Sequence, residues 1–185
     1  MSLLNLPANI VNFLVEEALK EDIGTGDVTS NALLNDAQIA KFKIIAKEDL
    51  VLCGIEFAIA CFVKLNDAIK IEIVAKDAAK LHKGDVILTG EGKVKDILLA
   101  ERVALNFLQH LSAIATNTNS YVEKVAKYKV KILDTRKTIP MYREAAKYAV
   151  RVGGGKNHRM RLDDAILIKD NHVAAVGKIA AAIKK

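Results

Sequence analysis

Residues 96–128, DILLAERVALNFLQHLSAIATNTNSYVEKVAKY, run for 33 positions without a Gly or Pro. Apolar side chains recur through them at helical spacing, so the segment is expected to form one long helix. Leu98, Leu99, Val103, Leu105, Phe107, Leu108, Leu111 and Ile114 are distributed almost all round it. That distribution places the helix deep in the molecule or at an interface. Arg102 interrupts its apolar middle. Such an arginine either reaches the surface or pairs with Glu101, or it serves an interface.

The chain reads differently on the two sides of this helix. Residues 7–20 form a helical pattern with Pro7 in the first turn and Ile10, Val11, Leu14, Val15 and Ala18 on one face. EDIGTGDVTS (21–30) reads as a loop with a capping-type cluster of Asp27, Thr29 and Ser30. KFKIIAKE (41–48) and IKIEIVAKD (69–77) alternate as half-buried strands, with Ile69, Ile71, Ile73 and Ala75 on one face of the second. A helical stretch at 54–66 lies between them, and 82–92 is a short strand between glycine turns. This part is expected to be mixed α and β with an antiparallel sheet. Cys53 and Cys61, the only cysteines, fall in the apolar helical pattern and read as small buried hydrophobes.

Beyond residue 128 the rhythm is strand, helix, strand. KVKILDT (129–135) is apolar like a buried strand, and IPMYREAAKYA (139–149) reads as a helix with Pro140 in its first turn and Thr138 as N-cap. VRV leads into Gly153, Gly154 and Gly155, and AILIKDNH (165–172) is another apolar run ending in polar residues. Such alternation implies parallel strands with helical crossovers. Thr135, Arg136 and Lys137 follow the first strand, Lys156, Asn157, His158 and Arg159 the second, and Lys169 to His172 the third. Ligands of parallel α/β sheets and barrels sit at these carboxyl ends.

Charge sharpens that expectation. The chain carries a net +6, and residues 134–172 hold nine Lys or Arg against five Asp or Glu. With no Trp and 5% aromatic residues, the chain lacks an obvious stacking platform for single-stranded nucleic acid. No helix-turn-helix or zinc-finger spacing stands out. Cations gathered beside three glycines suit a small, multiply anionic ligand, the alternative being a merely solvated lysine-rich surface. No apolar run reaches the length of a membrane span, and the N-terminus lacks the basic region and cleavage site of a signal peptide, so a cytoplasmic protein is expected.

Three spaced blocks, TRKT at 135–138, GGGKNHR at 153–159 and KDNH at 169–172, resemble the quinolinate phosphoribosyltransferase family (nicotinate-nucleotide pyrophosphorylase, decarboxylating). EDIGTGDVTS at 21–30 and ERVALNFLQHLSAIAT at 101–116 resemble the family's N-terminal and linker segments, in the right order. The resemblance implies an N-terminal α/β sandwich with a linker helix and dimerisation surface over residues 1–110. The first part of a type II phosphoribosyltransferase α/β barrel, with the quinolinate-binding part, would occupy residues 111–185.

The activity implied is transfer of a phosphoribosyl group from phosphoribosyl pyrophosphate to quinolinate, with decarboxylation, in NAD biosynthesis. Nicotinate mononucleotide, pyrophosphate and carbon dioxide would be the products. The implied substrate-binding residues are Thr135, Arg136, Lys137, His158, Arg159 and Lys169, with Arg102 contributed by the neighbouring subunit of a homodimer or of a higher oligomer of dimers. Lys137 and Lys169 would be catalytic, and no covalent nucleophile is required. Asn171 and His172 would hold the loop by hydrogen bonds, whereas Arg143 and Arg161 read as surface residues.

Mg²⁺ would accompany phosphoribosyl pyrophosphate, its acidic partners lying beyond residue 185. From Ser120 onward there are 66 residues, against roughly 200 or more for a full barrel. The chain therefore resembles a C-terminally truncated family member, expected to be inactive alone. Two other functions remain compatible with these residues: a phosphoribosyltransferase-like paralogue acting on another acid, and a non-catalytic dimerising or nucleic-acid-binding module.

Overall fold

The computed structural model describes residues 6–184, so the first five residues of the expected N-terminal unit and Lys185 lie outside the described residues. The chain opens with α1 (Ala8–Ile23), which Pro7 precedes as N-cap, and turns through Gly24 and Gly26. The segment read as a loop contains a short helix, α2 (Val28–Leu33). Asp27 caps it, accepting from the backbone N–H groups of Thr29 and Ser30 at 3.0 Å each. The capping cluster was legible; the six-residue helix behind it was too short to show a period.

Strands β1 (Ile39–Ile45), β3 (Lys70–Ile73) and β5 (Val86–Lys93) form an antiparallel sheet of order β1-β5-β3. A bulge between Ile44 and Ile45 shifts the β1–β5 register. Two further strands, β2 (Leu50–Val51) and β4 (Lys80–Leu81), pair antiparallel and were not evident in the sequence, being two residues long. Helix α3 (Ile55–Leu65) buries Phe57, Ala58, Cys61 and Phe62. Both cysteines are buried and free, and burial pushes the Cys61 thiol up to about 12.

Helix α4 (Val94–Val125) is the predicted long helix, about 48 Å from end to end. Its buried residues are Ile97, Ala100, Val103, Ala104, Phe107, Leu108, Leu111, Ser112, Ala115 and Thr118, a stripe at spacings of three and four. Of the two expectations for this helix, burial all round within the chain is corrected: Leu98 and Arg102 are exposed. Phe107 of the stripe stacks on Phe57 of α3, ring centroids 4.7 Å apart. Two hydroxyls in α4 serve the backbone of the β2–α3 segment. Thr116 Oγ1 accepts from Val51 N–H at 2.9 Å, and Ser112 Oγ accepts from Cys53 N–H at 3.0 Å.

Residues beyond α4 form α5 (Arg143–Val152), α6 (Asp170–Val176) and α7 (Ile179–Lys184). The three parallel strands expected here are corrected. Among the described residues, a single parallel bridge joins Leu133 to Lys156. VRV belongs to the end of α5, and the AILIKDNH run leads into α6 without pairing. A strand needs a neighbour to complete its backbone hydrogen bonds. Ile166, 93% exposed, has no sheet to pack on.

The start of α5 also differs from expectation. Met141 adopts φ 63°, a left-handed conformation that interrupts the run from Pro140, so the helix begins at Arg143 with Tyr142 as N-cap. Thr138 does not cap it; its hydroxyl accepts from Arg143 Nε at 3.2 Å.

Candidate functional site

The glycine run explains how the C-terminal segment meets α4. A Cβ on Gly153 would lie 2.4 Å from the Ala115 carbonyl oxygen and 2.8 Å from Thr118 Cβ. Gly154 has φ 88°, which side chains disfavour. The close approach the glycines allow is thus to helix α4. Behind them, Lys156 N–H donates to Ile132 C=O at 2.9 Å and Asp134 N–H to Lys156 C=O at 3.2 Å. This short parallel pairing draws the 134–137 loop beside residues 157–159.

The result is a pocket of about 200 Å³ lined by Asp134, Thr135, Arg136, Lys137, His158, Arg159, Leu167 and Lys169. Six of the seven residues read from the sequence as binding or catalytic therefore meet here. The seventh, Arg102, does not line the pocket and is exposed on α4. Thr135 shapes its own loop, its hydroxyl accepting from Lys137 N–H at 3.1 Å. Arg159 Nη1 donates to Ala165 C=O at 2.7 Å, which ties the 165–169 segment over the pocket. His172 Nδ1 accepts from Lys169 N–H at 2.9 Å, fixing the start of α6.

Four cationic side chains converge with one carboxylate, Asp134, which is already engaged. Lys147 Nζ donates to Asp134 Oδ1, and Asn157 Nδ2 donates to Asp134 Oδ2 at 2.5 Å. Two buried donors are left over. The Nε atoms of Arg136 and Arg159 are out of solvent and have no hydrogen-bond partner among the described residues. Buried polar groups are ordinarily satisfied, so a pair of orphaned guanidinium donors beside two lysines marks a place for an anion. Guanidinium groups suit carboxylates through paired donors, and lysines suit phosphate as point charges. Larger hollows occur elsewhere. One of about 590 Å³ lies over the sheet, and another of about 490 Å³ is lined by α1, α4 and Tyr142. The first mixes Lys41, Lys43 and Lys70 with Glu72 and Glu91, and the second carries Glu21 and Asp22.

Sequence reasoning missed Asp134 and Lys147 as parts of this site, and it placed Asn157 at the ligand-facing strand end without giving it a role. The available signal was Lys147, a lysine set among the alanines and Tyr148 that α5 buries. Arg143, read as a surface residue, is half-buried and ties Thr138 to Met160 C=O, the latter at 3.1 Å. Asp77 was also unforeseen. Its carboxylate accepts from Gly54 and Ile55 N–H at 3.0 Å each, capping α3, and from the Tyr148 hydroxyl at 2.7 Å, anchoring α5. Burial, then the Asp77 charge, hold that hydroxyl well above the usual tyrosine range. Among the described residues no helix is long and apolar enough to cross a membrane.

Comparison with known proteins bears on the same residues. The chain matches the family model for the quinolinate phosphoribosyl transferase N-terminal domain over residues 27–112 and that for the C-terminal domain over residues 114–185. It is 44% identical over 172 residues to a probable nicotinate-nucleotide pyrophosphorylase [carboxylating] of Bacillus subtilis, covering 93% of this chain and 59% of that protein. A protein of the same description from Methanocaldococcus jannaschii is 43% identical over 166 residues, covering 89% of this chain and 57% of its own length. The solved nicotinate-nucleotide pyrophosphorylase of Francisella tularensis superposes with a TM-score of 0.93 at 47% identity, over 97% of this chain and 64% of that one. The chain thus spans less than two thirds of the length of these relatives. The two domain models follow one another along it, and the second contains the whole cationic pocket, so the chain belongs to the quinolinate phosphoribosyltransferase family.

Proposed function

We propose that the pocket between residues 134–137 and 157–159 binds quinolinate. The protein would then serve the transfer of a phosphoribosyl group to that acid, with loss of carbon dioxide, in NAD biosynthesis. The observation that carries this reading is the pair of orphaned Nε donors of Arg136 and Arg159, buried in a pocket with Lys137 and Lys169. Quinolinate carries two adjacent carboxylates, and two guanidinium groups match them. Family membership supports the assignment, through relatives described as nicotinate-nucleotide pyrophosphorylases.

In this reading Arg136, Arg159 and His158 hold the acid, and Lys137 and Lys169 lie where it meets the ribosyl diphosphate. Thr135 places the loop. The ring nitrogen's lone pair forms the bond to the ribose carbon as the bond to pyrophosphate breaks. Positive side chains orient the acid and stabilise charge on the departing group. The cationic ring then accepts the electron pair released with carbon dioxide, and the vacated carbon takes up a proton.

Mg²⁺ belongs to this reading as a companion of phosphoribosyl pyrophosphate. Among the described residues no group of three or more His, Cys, Asp or Glu converges on a metal position. Asp134, the pocket's carboxylate, has both oxygens occupied. These residues do not fit a divalent cation.

Arg102, exposed on α4, completes the pocket of a second copy in a cytoplasmic homodimer. Calorimetric titration with quinolinate tests the proposal. Saturable binding is expected, weakened about tenfold or more in Arg136→Ala and in Arg159→Ala, as loss of a charge-assisted hydrogen bond requires. Absence of binding by the parent protein overturns it. Arg102→Glu is expected to abolish binding in the dimer, and unaltered binding there removes Arg102 from the site.

A further inference from the structure

Lys147 and Asp134 are buried, their side chains 1% and 7% exposed, and they form an ion pair. Taking both charges out of water is expensive unless the remaining donors and acceptors are used well. Here they are used on a single stretch of chain. Lys147 Nζ donates to His158 C=O at 2.9 Å, and His158 N–H donates to Asp134 Oδ1 at 2.8 Å. Both main-chain polar groups of His158 therefore end on the pair. Asn157 closes the arrangement, with Nδ2 donating to Asp134 Oδ2 at 2.5 Å and to Lys147 C=O at 2.9 Å. Arg151 Nη1 donates to Asn157 Oδ1 at 2.6 Å, which sets the amide the right way round.

One residue further on, Arg159 N–H donates to His158 Nδ1 at 2.8 Å. An Nδ1 that accepts leaves Nε2 as the nitrogen bearing the ring N–H. The opposite tautomer would offer a bare lone pair at Nε2, which repels a carboxylate.

We propose that Asp134 and Lys147 are positioning residues. They clamp the main chain of His158 so that its imidazole is held in the Nε2–H tautomer, as a hydrogen-bond donor to a ligand carboxylate. The identity of that ligand rests on the proposed function; the clamp does not. Lys147 thereby adds no charge to the pocket, because Asp134 neutralises it. The pair links α5 to both pocket loops, which fixes their separation.

Histidine-selective ¹⁵N spectra of the whole protein test this without ligand, His158 being identified by its disappearance in His158→Gln. The parent is expected to show one bare nitrogen, Nδ1, and one protonated nitrogen, Nε2. Asp134→Asn keeps the side-chain shape, Lys147→Met removes the cation, and the double variant removes both charges. Each variant that retains a cooperative thermal transition is expected to show a mixture of tautomers and to bind quinolinate at least tenfold more weakly. A parent spectrum with Nδ1–H, or folded variants that keep the parent tautomer, overturns the clamp. Failure of the parent to bind quinolinate overturns the ligand assignment instead, and the tautomer signal alone then decides the clamp.

Discussion

Phe57 and Lys147 are both among the fully buried side chains, and they are buried for opposite reasons. Phe57 lies in an apolar core shared by α1, α3, α4 and the sheet, where water is excluded because the side chains offer it nothing. Lys147 is enclosed by groups that replace water one bond at a time: Asp134, the His158 carbonyl and, through Asn157, the neighbouring loop. The contrast extends to the regions around them. Among the described residues beyond α4, only Ala145, Tyr148, Ala149 and Val152 join the buried apolar core, and α6 and α7 bury nothing. The first region is stabilised by area; the second is positioned by directed hydrogen bonds.

Hydrogen bonds are short-ranged and angular, so they can set a tautomer or hold an arginine at a chosen place. Apolar contacts bring more stabilisation and less direction. A site that must hold anions cannot be built from apolar contacts alone. The pocket nevertheless depends on the core, because α5 is attached through Tyr148 to Asp77 and through the glycines to α4.

The largest effect is expected in the core. Phe57→Ala removes a ring stacked on Phe107 and should cost about 3–5 kcal/mol of unfolding free energy in denaturant titration. A loss below 1 kcal/mol would mean that the two regions are not distinguished by apolar burial. Next comes the seam between them. Gly153→Ala drives a methyl group against the Ala115 carbonyl oxygen and should cost roughly 1–3 kcal/mol. Because the strain falls where the loop meets α4, ligand affinity should drop as well; stability loss with intact affinity would separate the seam from the pocket.

Met141→Gly should act in the other direction. Met141 holds a positive φ with its side chain 74% exposed, so glycine relieves strain without leaving a cavity. A net gain of about 1 kcal/mol or less is expected in the melting curve, since glycine also frees the unfolded chain.

The smallest effect is electrostatic and belongs to the first region's surface. Hydrogen bonds from Lys64 and then Lys20 lower the Glu16 carboxyl from 4.5 to about 2. A carboxyl more acidic in the folded state stabilises it above the unfolded value and loses that contribution as pH falls. Stability should therefore be level above about pH 5 and decline toward pH 2, more gently in Glu16→Gln. Equal slopes in the two proteins would show that this ion-pair cluster contributes nothing.

Much of the first region was legible in the sequence because its elements are long enough to show a period. The 96–128 run became α4, and 54–66 became α3 with Cys61 inside it, whereas Cys53 is buried just before its N-cap Gly54 and not in the helix. The two-residue strands β2 and β4 carry no period at all, and α2 has too few residues for one. In the second region, the apolar runs that resembled strands formed, among the described residues, no more than the single Leu133–Lys156 bridge. Val130 to Leu133 and Ala165 to Ile168 have the composition, but strand formation is decided by a neighbour and not by composition. Met141 shows the same limit for helices: no spacing reveals a positive φ.

The sequence by itself determined which residues could face an anion, since Arg136, Lys137, His158, Arg159 and Lys169 are recognisable by type and by their order in spaced blocks. Those positions do converge on one pocket. Only the tertiary structure decided what holds them there. The partners of His158 lie 24 and 11 residues away, at Asp134 and Lys147. Asp77, 71 residues from Tyr148, joins the pocket's helix to the core. Contacts at such separations leave no local pattern, because a side chain's burial and its hydrogen-bond partner are set by whichever segment folding brings beside it.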